Sequence, residues 1–116
     1  MGRTVLIVDD HPGFRSAARA LLEAAGFDVV GEAADGAAAI AAARQLRPEV
    51  VLLDVQLPDI DGFLVAERIG DYGPAIVLIS SRAAGSFRRR LAANPALSFI
   101  PKSELSGETL AAAIAG

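Results

Sequence analysis

The sequence has no cysteine, no tryptophan, a single tyrosine and a single histidine, and aromatic residues make up only 5% of its 116 positions. Without thiols, disulfides and thiolate chemistry are excluded, and a reducing cytoplasm is the expected location. With no thiol and no histidine cluster, zinc is not the expected metal. No apolar run approaches the roughly 18 to 20 residues that a membrane-spanning helix needs, so no membrane partner is expected. A branched apolar run begins at Thr4, which leaves no room for a secretory signal peptide. Basic residues are outnumbered as well: 11 Lys and Arg stand against 14 Asp and Glu, for a formal net charge of -3. A face that neutralises several phosphates must be basic, so direct binding to nucleic acid is not expected.

What the sequence has is aliphatic residues, with 53% hydrophobic positions dominated by Ala, Val, Leu and Ile. A chain of this length builds one core, so residues 1–116 are expected to form a single domain. Its organising stretch is Val50-Val51-Leu52-Leu53-Asp54, an unalternating branched run that ends in a carboxylate. Such a run reads as a strand covered on both faces, the mark of a parallel sheet in an α/β domain. In open parallel sheets, ligands bind in the crevice outside the carboxyl ends of the strands, where Asp54 would sit.

Strands and helices alternate along the chain. Val5 to Val8 forms a buried strand running into Asp9-Asp10, and His11-Pro12-Gly13 turns it into a helix with Phe14, Ala18, Leu21, Leu22 and Ala25 on one stripe. Gly26 ends that helix. Asp28 to Ala33 is a weaker, edge-like strand, and Asp35 caps an Ala-rich helix over 36–46. After the central strand, a short helix spans 62–69 and Tyr72-Gly73-Pro74 turns into a strand from Ala75 to Ser80. A helix over 86–93 carries Phe87, Leu91 and the run Arg88-Arg89-Arg90. Leu97 to Pro101 delivers Lys102, and Ser106 caps a last helix. Five strands and five helices of this kind imply right-handed crossovers and a three-layer α/β sandwich around a five-stranded parallel sheet. Periodicity leaves the strand order open; the order 2-1-3-4-5 would bring Asp9 and Asp10 beside Asp54.

Three carboxylates in one crevice repel: at about 4 Å a like-charged pair costs roughly 1 to 4 kcal/mol, depending on the dielectric. They call for a cation, and an oxygen-only site with retained waters suits Mg²⁺. Lys102 and Ser80 end the remaining strands and would face the same crevice. A lysine, a hydroxyl and a divalent metal around an exposed carboxylate form a set suited to phosphoryl transfer onto that carboxylate.

The motifs VLIVDDHP, VVLLDVQLPDIDG, IVLISS and FIPKSEL together resemble the receiver domain of bacterial two-component response regulators, over essentially the whole chain. DDHPGFR, VVGEAADG and PKSEL are similar to the subgroup usually joined to a C-terminal helix-turn-helix domain that binds DNA. The resemblance implies the flavodoxin-like order 2-1-3-4-5 and a signalling module that is not itself an enzyme. It implies that Asp54 accepts a phosphoryl group from a sensor histidine kinase or a phosphotransfer protein. Asp10, Asp54 and the backbone carbonyl of Gln56 would ligate Mg²⁺, with Asp9 acting directly or through water. Lys102 would contact the phosphoryl group, and Ser80 and Phe99 would form the switch. A homodimer or output partner would use the face of the fourth helix, fifth strand and fifth helix, with the three arginines on it. Ser103 stands where the family commonly has proline, so a cis bond after Lys102 is disfavoured by its cost of about 2.5 to 4 kcal/mol. Ser81 stands where the family usually has a smaller residue, and Gln56 and Arg82 occupy positions that line the phosphate's approach.

Other readings attach to the same residues. A degenerate receiver that works without phosphorylation would have lost an acid or the lysine, and all are retained. A hydrolase with an aspartyl-phosphate intermediate usually carries Asp-x-Asp after its first strand, whereas here the acids are adjacent. His11 reads as a turn residue and the arginine run as a solvated helix face.

Overall fold

The computed structural model describes residues 2–115. Its elements are β1 (Thr4–Val8), α1 (Pro12–Ala24), β2 (Asp28–Ala33), α2 (Gly36–Leu46), β3 (Val50–Asp54), α3 (Gly62–Ile69), β4 (Ala75–Ser80), α4 (Arg88–Ala93), β5 (Ser98–Pro101) and α5 (Gly107–Ile114). The sheet is parallel throughout and its order is β2-β1-β3-β4-β5, as the resemblance implied.

Why the three inner strands are apolar between their ends is plain from where alternate side chains go. On β1, β3 and β4, Leu6, Val8, Val51, Leu53, Ile76 and Leu78 join the core under α2, α3 and α4. Their neighbours Val5, Ile7, Val50, Leu52, Val77 and Ile79 join the core under α1 and α5. Val50 to Leu53 are fully buried, and each side chain of that size contributes about 1.5 to 3 kcal/mol on leaving water. Polar residues therefore enter only where the strands end, and register decides which ends meet. Val8 pairs with Leu53, Asp54 with Ile79, and Ser80 with Pro101. The next residue after β1, Asp9, is thus level with Asp54.

Local chemistry sets the helix starts. Asp35 accepts from the Ala38 N–H, Asp61 from the Phe63 N–H, and Ser106 forms a capping box with Thr109. The sequence reading differs from the structure at two places on the fourth crossover. The helix expected over 86–93 is a 3₁₀ turn, Ala84–Phe87, followed by only six α-helical residues; no side chain caps its N-terminus, and Asn94-Pro95 ends it at Ala93, the expected position. The fifth strand begins at Ser98, one residue late, because Leu97 closes a turn by donating to the Asn94 carbonyl. No peptide bond among the described residues is cis. No helix among them is long and apolar enough to cross a membrane.

Candidate functional site

The carboxyl ends of β1, β3, β4 and β5 bring Asp9, Asp54, Ser80 and Lys102 to one edge of the sheet. Asp9 is fully buried and Asp54 is 4% exposed, so both lie at the floor of the crevice. Directly behind Asp54 the chain turns tightly: the Gly62 N–H donates to the Val55 carbonyl at 2.8 Å. A Cβ on Gly62 would collide with the carbonyl oxygen of Asp54 and with the backbone of Val55, so only glycine fits this close approach.

Lys102 ties the two buried acids together. Its Nζ is 3.2 Å from Asp54 Oδ2 and 2.6 Å from Asp9 Oδ2, and it lies 4.6 Å from the centre of the Phe14 ring. The shorter contact is an ion pair off the axis of a good hydrogen bond, which leaves Asp9 Oδ2 buried without a well-aligned donor. Asp54 Oδ1 accepts the Gln56 N–H at 3.0 Å. Burial pushes the Asp54 carboxyl up and the Asp9 charge adds to this, against the Gln56 N–H and Lys102; the net direction is up. Burial pushes Asp9 up too, but Lys102 and the His11 N–H outweigh it and hold Asp9 below the usual carboxylate range. Burial alone would lower the Lys102 ammonium, yet Asp9 and Asp54 raise it. The set therefore keeps a cation and at least one anion charged deep in the crevice.

The remaining expected positions are distributed unevenly. Asp10 sits at the rim, 36% exposed, and contacts His11 instead of Lys102. Ser80 is buried, and its Oγ accepts the Arg82 N–H at 3.0 Å. Phe99 is half-buried on the face shared with Leu78 and Ser80, its ring 5.6 Å from that of Phe87, which in turn is 6.1 Å from Phe63. Arg90 departs from the expected fourth-helix patch. It forms a two-pronged pair with Asp61 at 2.5 and 2.9 Å and lies over the Phe63 ring, so it faces α3.

Three contributors escape sequence reasoning. Arg15 reaches back from α1 to the Asp9 carbonyl at 2.6 Å and is itself held by Glu32 at 3.1 Å. His11 Nδ1 lies 3.1 Å from Asp9 Oδ1 and 3.0 Å from Asp10 Oδ1. Asp59, expected only as loop, accepts the Gly36, Ala37 and Ile60 N–H groups and so ties the loop after Asp54 to the start of α2. No local pattern announces a side chain that reaches 6 or 23 positions along the chain to a backbone group.

One oxygen or nitrogen from each of Asp9, Asp10, His11 and Asp54 lies within 4.8 Å of the others. A mainly carboxylate donor set with an under-satisfied buried oxygen fits a hard divalent cation.

Residues 5–115 match the family model described as the response regulator receiver domain. The chain belongs to this family. It is 38% identical over 115 residues to BvgA of Bordetella pertussis, a protein named for positive transcription regulation of virulence factors; the match covers 97% of this chain and 55% of BvgA. It is also 38% identical over 109 residues to a protein-glutamate methylesterase/protein-glutamine glutaminase of Alkalilimnicola ehrlichii, covering 89% of this chain and 28% of that protein. Among solved structures, the signal receiver domain of NarL from Mycobacterium tuberculosis superposes with a TM-score of 0.81 at 31% identity, covering 97% of this chain and 96% of that one. The chain spans about half the length of the transcription regulators it matches. Receiver domains thus stand in proteins of quite different names.

Proposed function

We propose that residues 1–116 form a single phosphoacceptor receiver unit, in which Asp54 takes a phosphoryl group from the phosphohistidine of a sensor kinase or phosphotransfer protein in a Mg²⁺-dependent reaction. The observation that carries this reading is the environment of Asp54: the acid that ends the central strand has Lys102 on one oxygen, a backbone N–H on the other, and two further acids beside it.

An oxygen of Asp54 attacks phosphorus while the N–P bond of the donor breaks, and the leaving imidazole keeps the electron pair and takes a proton from solvent. Lys102 exchanges its contact with Asp54 for one with a transferring oxygen and so stabilises charge that grows there. Asp10, Asp54 and the Gln56 carbonyl, with Asp9 directly or through water, would hold Mg²⁺, which supplies positive charge against the phosphoryl group. Gln56 and Arg82 flank the entrance.

Output is proposed to pass along one face of the sheet. Ser80 gives up the Arg82 N–H to donate its own proton to a phosphoryl oxygen, and Phe99, two positions along the same face, shifts with it. The ring of Phe99 touches Phe87 at the start of α4, so the face of α4, β5 and α5 is where a second protomer or an output partner would sense the change. The names of BvgA and of a transcriptional regulator from Pseudomonas aeruginosa support a transcriptional output, with the chemistry of that output lying outside this domain; the setting proposed with it is the cytoplasm.

The test is mass spectrometry after incubation with acetyl phosphate and Mg²⁺. One added phosphate is expected on the parent chain, none on Asp54→Asn, and none when the metal is removed by a chelator. A phosphate retained on Asp54→Asn would overturn the assignment.

A further inference from the structure

His11 takes no part in the reaction described above, yet its ring lies against the acids. It is the residue at which the β1 end becomes α1, and it fills the cap position of that helix without capping it: its side chain accepts no backbone N–H of α1. The ring is turned instead toward Asp9 and Asp10, with Nδ1 between one oxygen of each at 3.1 and 3.0 Å. The backbone N–H of His11 also donates to the same Asp9 oxygen at 2.8 Å, which fixes that oxygen relative to the ring. The side chain is 70% exposed, so the orientation is set by the acids and not by packing.

Those separations have a second meaning. In an octahedral site with metal–ligand bonds near 2.1 Å, neighbouring ligand atoms are about 3 Å apart. The imidazole nitrogen already stands at that spacing from each of the two carboxylate oxygens, and all the candidate ligand atoms lie within 4.8 Å of one another. Facing two carboxylate oxygens, which can only accept, Nδ1 is the nitrogen that carries the proton, and a metal ion taking that proton's place would leave it on Nε2. Carboxylates and water suit Mg²⁺, which dehydrates reluctantly and gains little from nitrogen, whereas imidazole favours the later first-row ions such as Ni²⁺ and Zn²⁺.

We infer that His11 is a specificity-determining ligand of the acid site, adding one nitrogen donor that raises the affinity for transition-metal ions relative to Mg²⁺. This rests on reading Asp9, Asp10 and Asp54 as a metal site. In such a site the choice of ion responds to a residue of the β1–α1 turn, while the phosphoacceptor and Lys102 stay as they are.

The experiment uses the chain without an affinity tag at pH 8. Calorimetric titrations with MgCl₂, NiCl₂ and ZnCl₂ are compared for the parent, His11→Gln and Asp10→Ala. His11→Gln is expected to weaken Ni²⁺ and Zn²⁺ binding at least tenfold and to change Mg²⁺ binding less than twofold; Asp10→Ala should weaken all three. Because the chain has one histidine, its imidazole nitrogen-15 spectrum is unambiguous: Zn²⁺ should move the proton from Nδ1 to Nε2. Unchanged Ni²⁺ and Zn²⁺ affinities in His11→Gln, or equal losses for all three ions, overturn the role of His11 while leaving the acid site intact. Absence of any divalent binding by the parent overturns the acid-site reading itself, and this inference with it.

Discussion

Helices α2 and α4 pack on the same face of the sheet and are anchored by opposite means. The N–H groups that open α2 are met by two carboxylates from different loops: Asp35 bonds Ala38 at 2.7 Å, and Asp59 bonds Gly36 at 2.8 Å and Ala37 at 3.0 Å. Ala39 and Ala43 are buried along its length, and a Cβ on Gly36 would press on Ile60 and Val65. By contrast α4 has six residues, no side-chain cap on its opening N–H groups and no buried residue within its α-helical span. It is held through side chains: Phe87 just before it, half-buried Leu91, and Arg90 paired with Asp61. A helix fastened through its backbone must unfold in order to move, whereas one fastened by a few side chains can shift as a unit. Elements with few buried contacts come from the low-stability end of a fold, and α4 is the helix that adjoins the proposed switch.

The sharpest way to break this contrast is at Phe87, whose ring sits between those of Phe63 and Phe99. Phe87→Ala should cost about 3 kcal/mol, the lower end for a buried phenylalanine because the site is at the margin of the core. Urea denaturation measures the loss, and amide exchange should show α4 opening well before α2. A loss below about 1 kcal/mol would mean that the ring is not the anchor of α4.

The complementary disruption targets the caps of α2. Asp35→Ala should cost about 1 kcal/mol. Asp59→Ala should lower the melting temperature and speed exchange at the Gly36 and Ala37 amides, leaving exchange in α4 unchanged. Equal loosening of both helices by either variant would dissolve the distinction between them.

How far these features can be read from sequence follows from the range of the interactions that set them. Val50 to Asp54 announced the central strand because an unalternating branched run has few alternatives, and Asp35 announced α2 because capping acts over three residues. Asp54, Lys102, Ser80 and the acid pair were legible since each ends or follows a strand whose interior is apolar, and the strand order then brings them together. Lys102 bridging Asp9 as well as Asp54 was not legible: it depends on how far each strand end projects. Neither was the break before α4, where Ser86 and Phe87 fit a helix by spacing while the backbone closes a 3₁₀ turn. Adjacency groups Arg90 with Arg88 and Arg89, but successive residues on a helix point about 100° apart. That rotation aims Arg90 at Asp61 on α3.

The finest separation of the two anchoring modes is the Arg90–Asp61 pair itself. Both side chains are more than two-fifths exposed, so solvent screens them and the pair should contribute under about 1 kcal/mol at pH 7. Burial would raise the Asp61 carboxyl, but Arg90 and the Phe63 N–H hold it below the usual range. A carboxyl whose folded value is depressed stabilises the fold above its unfolded value, near pH 4, and that stabilisation is lost as pH falls through the folded value. Arg90→Met keeps an unbranched stem over Phe63 while deleting the charge. It should therefore destabilise the fold slightly at pH 7, and the difference from the parent should shrink as the solution is acidified below about pH 4. Asp61 would still cap α3 through Phe63, so the helix itself should persist and only α4 should exchange faster. A penalty of the same size at neutral and acid pH would assign the hold on α4 to the stacking over Phe63 and remove the ion pair from it.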